Sequence, residues 1–234
     1  MAPAIELAAV LKDYHGLRPL RIRVLTVAER EVVALQGLDA AAAEMLTNLI
    51  TGATLPDEGS VTVLGQDTAA IADGDAWLAS LDRFGIVSDR VALVDNLTLR
   101  QNIAIALTLD VEPLSDEVAA IVGALAADVG LDERILDSAT ARAPSSARVR
   151  ARLARAVVTN PRILLAEHPT ASVPRPEVAA IASDFHRLVR ERHLAVLITS
   201  ADPEFVAASD RRETLDPATG GFRSRGLRAW FSRE

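Results

Sequence analysis

Three short apolar runs decide which class of fold is open to this chain. They are Glu31-Val-Val-Ala-Leu-Gln36, Ile163-Leu-Leu-Ala166 and Ala195-Val-Leu-Ile-Thr199. A strand with one face in water alternates polar and apolar residues, whereas an unbroken apolar run suits a strand covered on both faces. The first run is followed by Ala40 to Ile50, which has no helix breaker and closes at Gly52; the other two are separated by Pro176 to His193, also of helical length. Asp39 is of the type that caps a helix N-terminus. This β-α-β alternation predicts an α/β fold with a parallel sheet.

The remaining segments fit around that frame. Ile5 to Val10 and Arg21 to Val27 alternate, as half-buried strands do. Leu55-Pro-Asp-Glu-Gly59 is turn chemistry leading into a strand from Ser60 to Leu64, and Phe84 to Ser88 is a further strand. Helices are expected over Thr98 to Leu109, where Thr98 and Gln101 form a capping-box pattern, over Asp116 to Val129, and over Ala147 to Thr159, which Asn160-Pro161 stops. The stretch from about Asp89 to Arg142 is expected to form a helical subdomain within a single domain spanning 1–234.

Composition excludes several functions. There is no cysteine, so disulfides, a cysteine nucleophile and thiolate metal sites are absent. A net charge of -7 argues against a nucleic-acid partner. No apolar stretch reaches the roughly 18 uncharged residues of a membrane span. The opening Met-Ala-Pro-Ala-Ile-Glu lacks a basic n-region, so no leader is expected and the protein is placed in the cytoplasm. The 25 basic residues are 24 arginines and Lys12 alone, so chemistry that requires a lysine elsewhere has none. The arginines from Arg148 to Arg155 are expected on a solvated helix face, with Leu153 and Ala156 turned inward. His186 and His193, flanked by Arg187, Arg190 and Arg192, are expected on another. No metal site is expected among the four histidines.

Six segments in order carry a resemblance. They are Glu31-Val-Val-Ala-Leu35, Leu46-Thr-Asn-Leu-Ile-Thr-Gly52, Pro56-Asp-Glu-Gly-Ser-Val-Thr-Val63, Asn96-Leu-Thr-Leu-Arg-Gln-Asn-Ile103, Arg152-Leu-Ala-Arg-Ala156 and Asn160-Pro-Arg-Ile-Leu-Leu-Ala-Glu-His-Pro-Thr170. Their order and spacing, over roughly Ile5 to Leu215, resemble the nucleotide-binding domain of ABC transporters, of the lipoprotein-release and macrolide-export type. The resemblance implies a P-loop NTPase-like fold with a mainly parallel central sheet, an N-terminal antiparallel β part and a helical subdomain.

The family's motifs are altered in this chain. A P-loop needs glycines whose backbone N–H groups surround phosphates, a lysine for the β/γ-phosphates and a hydroxyl for Mg²⁺. The corresponding stretch is Gly37-Leu-Asp-Ala-Ala-Ala-Ala-Glu-Met-Leu46. Gly37 survives; Asp39, Ala40 and Met45 lie in the vestigial loop, Ala42 replaces the second glycine, Ala43 the lysine and Glu44 the hydroxyl. Four consecutive alanines favour ordinary helix, and the Glu44 carboxylate is expected to satisfy the helix N-terminus. Glu167 stands where the family has its Mg²⁺-side aspartate and His168 where it has the water-orienting glutamate; an imidazole there is a base candidate. Pro144, Ser145 and Ser146 correspond to the signature, without its glycines. The Q-loop position falls at Asp89, the switch position at Ala201 and the D-loop aspartate near Pro174. Tyr14 matches an adenine-stacking aromatic.

These substitutions spare the scaffold and remove the chemistry. The resemblance therefore implies a non-hydrolysing relative of an ABC ATP-binding subunit, structural or regulatory in a membrane transport complex, with no cofactor expected. It implies a permease partner, a homo- or heterodimer with an ABC ATPase subunit, and a peripheral location at the inner membrane face. The alternatives are a conventional subunit that binds and hydrolyses Mg-ATP, and a soluble interaction protein without a transporter. In the tail over 224–234, Leu227, Trp230 and Phe231 share a helical spacing among arginines; weak contact with a membrane surface, or packing back on the domain, is expected.

Overall fold

The computed structural model describes residues 3–224. Strands β1 (Ile5–Lys12), β2 (Leu20–Val27), β4 (Glu58–Val63) and β5 (Gln66–Asp67) form an antiparallel sheet in the order β2-β1-β4-β5. A second sheet, β10-β9-β3-β8-β7-β6, contains β3 (Val32–Gln36), β6 (Phe84–Val87), β7 (Ile163–Glu167), β8 (Ala195–Thr199), β9 (Arg211–Asp216) and β10 (Gly221–Ser224). Its neighbours pair in parallel except β10 with β9. The helices are α1 (Ala40–Ile50), α2 (Gly74–Leu81), α3 (Leu99–Ala104), α4 (Asp116–Asp128), α5 (Glu133–Leu136), α6 (Ser145–Val157), α7 (Arg175–Glu191) and α8 (Pro203–Val206).

The unbroken apolar runs have a simple cause. Successive strand residues point to opposite faces, and here both faces are core. Val32, Ala34, Leu164, Ala166, Val196 and Ile198 join the cluster under α3, α4, α6 and α7. Val33, Leu35, Ile163, Leu165, Ala195 and Leu197 join the cluster shared with α1 and the antiparallel sheet. Three strands thus serve two cores, which fixes the sheet as the middle layer.

Several boundaries differ from the sequence reading. The helix expected over Thr98 to Leu109 stops at Ala104, and Gln101 Nε2 donates to the Val111 carbonyl (3.3 Å), tying the following loop back onto the helix. Its capping box is present. The helix expected from Ala147 begins at Ser145, directly after Pro144. Helix α2 has no counterpart in the sequence reading; Asp73 caps it through Ala76 N–H (2.8 Å). Strand β9 also escaped, since Arg211, Arg212 and Glu213 look like surface; Arg211 is instead held by Glu31 (3.0 Å) and Glu213 (2.6 Å) at the start of β9.

Two expected solvated faces are corrected. The α6 arginines reach across to neighbouring elements: Arg150 binds Asp184 and the Val129 carbonyl, Arg152 binds Asp89 (2.6 Å), and Arg155 donates to the carbonyls of Val91 (2.9 Å) and Ala92 (3.0 Å). His186 is buried. It stands one turn beyond Ala182 on the apolar stripe of α7, packs edge-on to Phe185, and shares a 2.8 Å hydrogen bond with the Phe205 carbonyl. The aromatic tail beyond Ser224 lies outside the described residues.

Candidate functional site

The sequence-selected residues gather at the C-terminal ends of the parallel strands, where open α/β sheets place their sites. Gly37 ends β3 with φ +89, a left-handed conformation, and an added Cβ would meet the Leu215 carbonyl oxygen at 2.9 Å. The chain then enters helix at Ala40. Asp39 accepts from Ala42 N–H through its carboxylate (2.8 Å) and from Ala43 N–H through its carbonyl (2.9 Å). The alanine stretch is therefore a capped helical turn that already carries an anion at its own N-terminus. Ala42 and Ala43 are buried and Met45 packs partly against the core.

Glu44 does not satisfy that N-terminus, contrary to the sequence reading. It is the fifth helical residue, beyond the first turn, and its Oε1 instead takes Arg90 Nη1 at 3.1 Å. Arg90 is the centre of the site. It follows β6, and its Nη2 lies 2.6 Å from Glu167 Oε1 while its Nε donates to Glu167 Oε2 at 3.0 Å. Ser88 Oγ donates to the same Oε2 at 2.7 Å. Glu167, at the end of β7, is only 6% exposed. Burial alone would raise its pKa, but hydrogen bonds from Arg90, Thr47 and Ser88 and the charge of Arg90 outweigh burial, and the carboxyl sits below its ordinary value. The hydrogen bond to Glu167 in turn raises Arg90 above its usual value, against the effect of burial.

Asp89, selected from the sequence, faces the other way. Its carboxylate binds Arg152 on α6. Sequence reasoning passed over Arg90 itself; the available signal was a cation beside the Q-loop position in a chain carrying acids at 44 and 167.

His168 follows Glu167 with φ +41. Its N–H donates to the Thr199 carbonyl (2.7 Å), and its Nε2 is buried with no partner among the described residues. Ala201 lines the same cavity of about 320 Å³, together with Thr170, Arg175 and Asp202, so the structure brings 168 and 201 together. Asp202 there holds Arg175 at 2.6 Å. Tyr14 borders a cavity of about 380 Å³ with Arg18, Gly37, Asp39 and Leu215. Burial, then the Asp39 charge, raises the pKa of its phenol. Pro144, Ser145 and Ser146 begin α6; among the described residues, no side-chain hydrogen bond caps that helix.

The ABC transporter family pattern matches residues 21–171, from β2 through Gly37, Arg90 and Glu167 to Ala171. The chain belongs to the ABC transporter family. Among ABC relatives, it is 30% identical over 217 residues to the lipoprotein-releasing system ATP-binding protein LolD of Anaeromyxobacter dehalogenans, covering 89% of each chain. It is 28% identical over 218 residues to the ABC transporter ATP-binding protein YxdL of Bacillus subtilis, covering 92% of this chain and 83% of YxdL. It is 28% identical to the macrolide export ATP-binding/permease protein MacB of Escherichia coli O157:H7, covering 90% of this chain and 33% of MacB. The dimeric structure of MJ0796, a bacterial ABC transporter cassette, superposes with a TM-score of 0.79 at 23% identity, over 97% of this chain and 100% of that one. The fold is that of an ABC ATP-binding cassette.

Proposed function

We propose that this ABC-family chain is a non-hydrolysing cassette with a structural or regulatory role in a membrane transport complex. One observation carries the reading: the Arg90 guanidinium is held between Glu167 and Glu44. In the family resemblance, these two positions lie on the Mg²⁺ side of the nucleotide. Mg²⁺ demands near-octahedral oxygen ligands and normally keeps waters and phosphate oxygens in its shell. A guanidinium donating to both Glu167 oxygens already supplies the compensating cation. Ala43 provides no ammonium for a phosphate, and the N–H groups of Ala42 and Ala43 are taken by Asp39. These residues do not fit Mg-ATP.

A conventional ATP-hydrolysing subunit is the second reading, favoured by the relatives, since LolD and YxdL are named ATP-binding proteins. Calorimetric titration with millimolar Mg-ATP separates the two. The first reading expects no saturable heat and no phosphate release; micromolar binding or sustained turnover establishes the second.

MacB is named for both ATP-binding and permease functions, and this chain matches a third of it, which supports a permease partner. The docking face we assign is the apolar groove of about 360 Å³ bounded by Phe84, Ile86, Val91, Ile105 and Arg155, beside exposed Leu107 and Leu109. Dimerisation with an ABC ATPase subunit is supported by the dimeric MJ0796 cassette. Together these support the reading of a peripheral subunit at the inner membrane face.

A further inference from the structure

A second polar cavity lies at the opposite end of the parallel sheet. Three connections meet there: Glu29 and Arg30 precede β3, Arg162 precedes β7, and Arg192 and His193 precede β8. With five-residue strands rising about 3.3 Å per residue, this end is separated from the Arg90 cluster by the length of the parallel strands. The cavity measures about 230 Å³. Three arginines face one carboxylate, in a chain whose net charge is -7.

The arginines are not equally committed. Arg192 is anchored by Asn160 Oδ1 at 3.1 Å and pairs with Asp128 at 3.7 Å. Arg162, on the surface, has Glu29 as its partner at 2.7 Å. Arg30 makes no ion pair or side-chain hydrogen bond among the described residues. The backbone here is also unusual. Among the described residues, seven non-glycine positions have positive φ; Arg30 (64°), Leu64 (50°) and His193 (54°) line this cavity, and Asn160 (54°) holds Arg192 beside it. Such conformations cost a residue with a Cβ about 1–2 kcal/mol, and they converge at sites where the surrounding structure imposes them. Here two of them, Arg30 and His193, carry large polar side chains at the rim of one hollow.

We infer that this cavity is a binding site for a compact dianion of the phosphate class, as free phosphate or a small phosphate monoester. Arginine forks match tetrahedral oxyanions through paired N–H donors. Arg30 and Arg162 supply the two movable forks, Arg192 a fixed guanidinium whose charge is shared with Asp128, and Glu29 the carboxylate that the anion displaces from Arg162. The volume admits such an anion with a few waters and lies below the range for larger ligands.

The test is thermal and calorimetric titration of the full chain with inorganic phosphate and with glycerol 3-phosphate, at constant ionic strength set with chloride. A saturable rise in Tm of roughly 2–4 °C is expected, with no such rise for acetate. A response to phosphate alone identifies the free ion as the ligand; a response to both admits the monoester. Arg30→Gln and Arg162→Gln should each weaken binding about tenfold, as loss of a charge-assisted hydrogen bond does. Glu29→Gln should tighten it several-fold by freeing Arg162. Absence of a saturable response, an unchanged affinity in the Arg30→Gln/Arg162→Gln double variant, or weaker binding in Glu29→Gln would overturn the assignment. None of these outcomes depends on whether the Arg90 end of the sheet binds ATP.

Discussion

Arg90 Nη2 lies 2.6 Å from Glu167 Oε1, so a residue just past β6 neutralises a buried carboxylate at the end of β7. The two ends belong to adjacent parallel strands, and the pair continues their contact beyond the last ladder hydrogen bond. Removing one partner leaves the other charge uncompensated, and this asymmetry governs what substitution does.

Arg90→Ala should destabilise the fold by about 2 kcal/mol, less than for a wholly buried pair because the guanidinium is 40% exposed. The Arg90→Ala/Glu167→Ala double variant should recover part of that loss. Urea denaturation of the four proteins in the cycle measures the coupling; purely additive losses would mean that the pair contributes no interaction of its own. The acid limb adds a second reading. The folded pKa of Glu167 is depressed, so its stabilisation is present above the unfolded value of about 4.3 and is lost as pH falls through the folded value. Glu167→Gln should flatten stability against pH in that acid window.

His186 predicts a separate window. Burial lowers its pKa, and Nε2–H donating to the Phe205 carbonyl does not reverse the shift. The folded protein therefore favours the neutral ring. Stability is full above the unfolded value of about 6.5 and declines as pH falls through the depressed folded value. His186→Leu should remove that decline, seen as a Tm that no longer falls across the weakly acidic range.

Asn102 is completely buried, with both polar atoms of its amide hydrogen-bonded. Its Oδ1 accepts from Val94 N–H (2.7 Å), and its Nδ2 donates to the carbonyls of Val94 and Thr98 (3.0 Å each) and to Thr140 Oγ1 (2.9 Å). Asn102→Ala strands these groups and should cost about 2–4 kcal/mol, a Tm loss of roughly 5–10 °C. An unchanged melting curve would show that water replaces the amide.

The proposed permease groove gives a surface prediction. Leu109 is 85% exposed and Ala106 is also exposed, so Leu109→Glu and Ala106→Glu should leave Tm within a degree or so. Both should abolish co-purification with a co-expressed permease. Intact co-purification would move the docking face elsewhere.

The scaffold was legible because its physics is local. The runs at 31–36, 163–166 and 195–199 have the composition that two-sided burial demands, and Thr98 with Gln101 formed the expected capping box. Arginine side chains were not legible. Arg150, Arg152 and Arg155 read as a wet helix face because sequence spacing shows only which residues share a face, not that their long side chains cross to another element. The same blindness hid Arg90, whose partners lie 46 and 77 residues away. His186 was misplaced because flanking arginines marked the surface side of α7, while the residue itself stands at the border of the buried stripe.

The loop after β6 is fastened residue by residue to two different bodies. Arg90 goes inward to the sheet, while Asp89, Val91 and Ala92 are gripped from outside by Arg152 and Arg155 of α6. A segment pinned in opposite directions at successive positions cannot slide past either body on its own. A short chain of contacts thus connects α6 to the end of β7. The element behaves as a strut, suited to passing a displacement from one side of the cassette to the other without a ligand to trigger it.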